Sequence, residues 1–75
     1  MSFHELESVV LVDDLPEHGL RKGDLGAVVM VHRSGTVDVE FADASGRTIA
    51  VLEIETAKLR RASDRDVLAV RTRPR

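Results

Sequence analysis

The chain has 75 residues, enough for one domain with a small core. It has no Cys, which excludes disulfide staples and thiolate metal sites, and only two Phe with no Trp or Tyr, so aliphatic residues must supply the packing. The net charge of −2 is unevenly placed: residues 1–57 carry four basic and eleven acidic side chains, whereas residues 58–75 carry seven basic and two acidic ones. The plainest consequence of that asymmetry is a basic tail that folds back on an acidic body. The other is an arm that contacts nucleic acid.

No basic segment followed by a long apolar run opens the chain, so no signal peptide is expected. The uninterrupted apolar stretch Ala27–Val31 is too short to span a bilayer. With the missing Cys, this leads to an expectation of a cytoplasmic protein without a membrane partner. Phe3–Glu7 is compatible with a helical turn or with a lead-in that lays Phe3 on the core. Ser8–Val12 (SVVLV) is β-branched and predicts a first strand.

Residues 13–24 (DDLPEHGLRKGD) form a long loop. Pro16 fixes its own φ and pushes Leu15 towards extended backbone. Gly19 and Gly23 suit positive φ, and Asp24 is expected to accept hydrogen bonds from loop amides. Leu25–His32 predicts a second strand, with Gly26 marking a bulge, a bend or a close backbone approach. Thr36–Phe41 (TVDVEF) alternates strictly, Val37, Val39 and Phe41 on one face and Asp38 and Glu40 on the other. "DASG" at 43–46 is a hairpin turn, and Arg47–Ile54 is the fourth strand. Residues 58–66 should hold a helical turn around "SDRD", Val67–Arg71 (VLAVR) a fifth strand, and Arg73–Arg75 a frayed end.

Five short strands in one small domain, a long first loop and a helical turn before the last strand predict an all-β, five-stranded SH3-like barrel, with a core over residues 8–71. The glycines then serve a loop that doubles back and a strand that bends. A phosphate cradle would need a helix after them, and a strand follows instead.

Asp14-Leu15-Pro16-Glu17, Gly19-Leu20, Gly23-Asp24-Leu25-Gly26-Ala27-Val28 and Val39-Glu40-Phe41 resemble the recurring pattern of a small bacterial family of SH3-like domains, the domain of unknown function four-nine-two-six. The resemblance covers about residues 8–70. It implies an SH3-like barrel without a known catalytic activity. More distantly, G-D-x-G-x-V is similar to KOW modules and to the barrel of nitrile hydratase β subunits.

Catalysis needs a nucleophile, base or metal constellation in a pocket. His4, His18 and His32 fall on a terminus, a loop tip and a strand end, and Asp13, Asp14 and Glu17 flank a Pro turn. Neither group predicts a catalytic centre, a cofactor or a metal site. Nucleic-acid binding would fall to Lys58, Arg60, Arg61, Arg71 and Arg73, but stacking aromatics are missing and the body is acidic. Several strands are apolar on both faces. In the fourth, Ala50, Leu52 and Ile54 should point inward, leaving Ile49 and Val51 outside with Glu53. Either the chain's own ends, through Phe3, Leu6 or the tail, cover Ile49 and Val51, or these two are the candidate surface for another protein or for self-association.

Overall fold

A computed structural model of the chain describes residues 2–70. Five antiparallel strands form one sheet: β1 (Ser8–Leu11), β2 (Leu25–Val31), β3 (Thr36–Ala42), β4 (Thr48–Glu55) and β5 (Leu59–Arg61). Their spatial order is β4-β3-β2-β1-β5. Among the described residues one short α-helix follows, α1 (Asp64–Leu68). The protein is thus all-β, as its alternating and β-branched runs predict.

The alternation of β3 sets the two faces. Val37, Val39 and Phe41 are fully buried, while Asp38 and Glu40 face out. Pairing carries this facing sideways: Val39 lies opposite Val28 and Leu52, and Val37 opposite Ile54. One core cluster draws on all five strands, through Val9 and Leu11, Val28, the β3 triplet, Ile54 and Leu59. The inner face of the sheet therefore carries one continuous core. Phe3 and Leu20 cap this cluster, the first from the lead-in and the second from the long loop.

The expected closed barrel is not seen as a closed ladder: β4 and β5 end the sheet without pairing to each other, and a single 3-10 turn, Thr56–Lys58, joins them. The fifth strand is also displaced. It is Leu59–Arg61, whereas Val67 and Leu68 belong to α1 and Arg71 lies outside the described residues. The physical reason lies in the neighbours. Leu59 pairs with Leu11 and enters the core, and Ser63 with Asp66 forms a capping box that starts a helix where a strand was expected to follow. The run "KLRRA" hides a strand because its arginines are held by partners on both faces of the sheet, Arg60 by Asp66 and Arg61 by Glu7.

The long loop behaves as predicted. Pro16–His18 makes a 3-10 turn that ends on Gly19 at φ 68°, Gly23 has φ 92°, and Leu15 and Leu20 bridge the loop's base. Asp24 accepts from the Arg21 amide at 2.9 Å, and Asp14 from the Lys22 amide at 2.8 Å. Gly26 is different. It is buried and lacks a positive φ, and a Cβ there would come within 2.5 Å of Val39 Cγ1. Of the three roles open to it, close approach is the one the structure supports. The irregularity of β2 falls at Val29, where the register shifts between Val28 and Met30.

Candidate functional site

Two features of the outer face merit description as sites. The first is a groove of about 570 Å³. Leu25, Ala27 and Ala42 form its floor on the sheet, and Val67, Leu68 and Val70 supply a wall from α1 and the residues after it. Alternation explains the floor: Ser8, Ala27, Glu40 and Val51 lie opposite one another in a row across four strands, all facing outward. Val10, in the next row, pairs with Leu25 and Arg60 and is fully buried outside the main core cluster.

The wall is held by charge. Arg60 makes two hydrogen bonds to Asp66, at 2.7 and 2.8 Å, and the Ser63 amide donates to the same carboxylate at 2.7 Å. These contacts, the Arg60 guanidinium first, hold the Asp66 carboxyl well below the usual range. At the groove's far end stands Asp43, buried, accepting from the Ser45 hydroxyl at 2.5 Å, the Ser45 amide at 2.9 Å and the Arg47 amide at 3.1 Å. Led by the Ser45 hydroxyl, these donors lower its pKa. Asp43 therefore organises the hairpin turn, and Glu40 is the acidic side chain left on the groove lining.

The second feature is a charged cluster further along the same face. His32 Nε2 lies 2.9 Å from Asp38 Oδ1, and Glu53 stands opposite Asp38 on β4. Donor atoms of all three lie within 4.8 Å of one another. The hydrogen bond to Asp38 is the main cause of a raised His32 pKa. Alternation along the strands puts Asp38 and Glu53 outward, but along the chain His32 is one of three scattered histidines. The missing signal was cross-strand register, which no spacing along the chain displays.

The sequence-derived surface residues separate. Val51 is 56% exposed. Ile49 is half-buried against the core, because it is the extra residue where the β3–β4 register shifts between Phe41 and Ala42. Strict alternation, which had placed Ile49 beside Val51, fails at that bulge. Other apolar side chains are exposed where the sequence was not singled out: Val29, Met30 and Val31 at the end of β2, and Leu68 at 87%.

Among the basic candidates, Arg60 is bound to Asp66, and Arg61 is bound to Glu7, donates to the Ser2 carbonyl at 2.6 Å and stacks 5.4 Å from the Phe3 ring centre. Arg61 thus ties the tail segment to the acidic body. Lys58 is exposed at the end of the 3-10 turn, and Arg71 and Arg73 lie outside the described residues. Among the described residues no helix is long and apolar enough to cross a membrane.

A family model described as Domain of unknown function (DUF4926) matches residues 5–61. The chain belongs to that family. No curated protein and no solved structure matches it.

Proposed function

We propose that this DUF4926 chain is a non-catalytic, cytoplasmic protein-interaction module, and that its docking site is the groove between the outer sheet face and α1. The observation that carries the reading is the apolar lining of that groove: Leu25, Ala27 and Ala42 face Val67, Leu68 and Val70, two of which are more than half exposed. An apolar concavity walled by exposed aliphatics fits an apolar side chain of a partner. Glu40 on the lining adds negative charge. The partner is accordingly a protein segment that presents one large apolar residue beside Lys or Arg.

A random peptide library panned on the full chain tests this. Selected peptides should share an apolar anchor with a basic flank, and the Val67→Asp and Leu68→Asp double variant should lose them while keeping its melting temperature. Peptides without that pattern, or undiminished binding by the double variant, would contradict the reading. Salt-steep binding of mixed oligonucleotides, reduced by neutralising Lys58, would favour a nucleic-acid module instead.

A further inference from the structure

The cluster of His32, Asp38 and Glu53 is separate from the groove and has a chemistry of its own. Its three residues come from three neighbouring positions of the sheet. Asp38 sits in β3, Glu53 lies directly opposite it in β4, and His32 follows the last residue of β2. Backbone pairing fixes all three, since the His32 amide donates to the Thr36 carbonyl at 3.0 Å and closes the β2–β3 turn. The donors therefore project from hydrogen-bonded backbone.

Two carboxylates opposite one another on adjacent strands repel. Among the described residues, neither Asp38 nor Glu53 forms an ion pair with Lys or Arg, so His32 is the one side chain there able to offset their charge. With a neutral imidazole the cluster carries two negative charges. Glu53 is oriented by the Thr36 hydroxyl, which donates to Oε2 at 2.6 Å, and Thr36 is in turn 3.2 Å from Ser34 Oγ. Such an outer partner is what holds a ligating carboxylate in place.

The spacing is close to what a small cation needs. Ligand atoms on a tetrahedral zinc ion lie roughly 3.3 Å apart, given metal–ligand distances of about 2.0–2.1 Å. The three donor atoms lie within 4.8 Å of one another, and His32 and Asp38 are already at 2.9 Å. Glu53 is exposed and its bond from Thr36 engages Oε2 alone, so binding requires its torsions to bring a carboxylate oxygen closer to the other two donors. One imidazole nitrogen with two carboxylate oxygens suits a borderline transition-metal ion, whereas magnesium and calcium favour oxygen alone. We propose that His32, Asp38 and Glu53 bind a divalent ion of the zinc type on the outer sheet face, with water completing its coordination.

The test is a titration of the full chain with Zn²⁺, read by calorimetry and by the ring-nitrogen signals of the three described histidines. The expected result is one saturable equivalent, a ring shift confined to His32, and a raised melting temperature. Glu53→Gln and His32→Asn should each weaken binding at least about tenfold, since losing even an outer partner of a ligand costs that much, while His4→Asn and His18→Asn leave it unchanged. Excess Mg²⁺ should not displace the zinc. Should a ligand variant fail to fold, the ring signals of the native chain still decide. No saturable binding, a shift at His4 or His18, or undiminished affinity in folded Glu53→Gln would overturn the site and leave a histidine–carboxylate ion pair only.

Discussion

Gly26→Ala perturbs the tightest spot in the sheet. The added methyl would lie 2.5 Å from Val39 Cγ1 and 3.0 Å from both the Glu40 carbonyl oxygen and Phe41 Cδ1. Val39 and Phe41 are fully buried, and the β3 backbone is held by β2 on one side and β4 on the other. Nothing can move without disturbing the core, so overpacking costs about 1–3 kcal/mol. Removing Gly from the unfolded chain offsets about 0.4–1 kcal/mol of that. The difference is centred on a net loss of about 1.3 kcal/mol, which lowers the melting temperature of a domain this size by roughly 5–10 °C. Gly26→Val should be worse, because its branches meet the same atoms. Thermal unfolding followed by circular dichroism measures the effect. A Gly26→Ala melting temperature at or above the native value would refute the close-approach account of this glycine.

Phe41→Ala removes a fully buried ring and should cost about 3–5 kcal/mol, enough to leave so small a domain largely unfolded in a denaturant titration. Val51→Ser should leave the melting temperature nearly unchanged, while Ile49→Ser should lower it, since only Ile49 packs on the core. Ser63→Ala removes the capping box of α1 and should weaken that helix by about 1 kcal/mol, visible as faster amide exchange at residues 66–69 without global unfolding. In acid, Glu7, Asp43 and Asp66 act together: each has a folded pKa below its ordinary value, so their stabilisation is complete above the unfolded carboxylate range and is lost as pH falls through the folded values. His32 has the opposite sign. Its raised folded pKa stabilises the chain below its ordinary pKa, and that contribution disappears as pH rises through the folded value, which a pH series of denaturant midpoints for His32→Asn against the native chain should show.

Local pattern carried the reading where one face of a strand is dry. TVDVEF announced β3, and Pro16, Gly19 and Gly23 announced the loop, because those signals depend on neighbours along the chain. The errors arose where distant partners decide. Leu59 becomes a strand because Leu11 lies beside it, and Val67 and Leu68 fall in a helix because Asp66 answers Ser63 and Arg60. Ile49 turns inward at a bulge that alternation cannot foresee. The same holds for the outer-face sites. The groove needs α1 beside the sheet, and the His32 cluster needs three strands in register. The exposure of Val51 is legible in strand alternation, whereas that of Leu68, greater still, is not, because its local run has the pattern of a strand.

The interaction groove is tested most directly by mapping a library-selected peptide onto the ¹⁵N-labelled chain by amide shift perturbation. The account predicts that the largest shifts fall on Leu25, Ala27, Ala42 and Val67, with little change at Lys58 or along Glu17–Gly19. Shifts centred instead on Lys58 and the β5 arginines, or spread without relation to the groove, would contradict it.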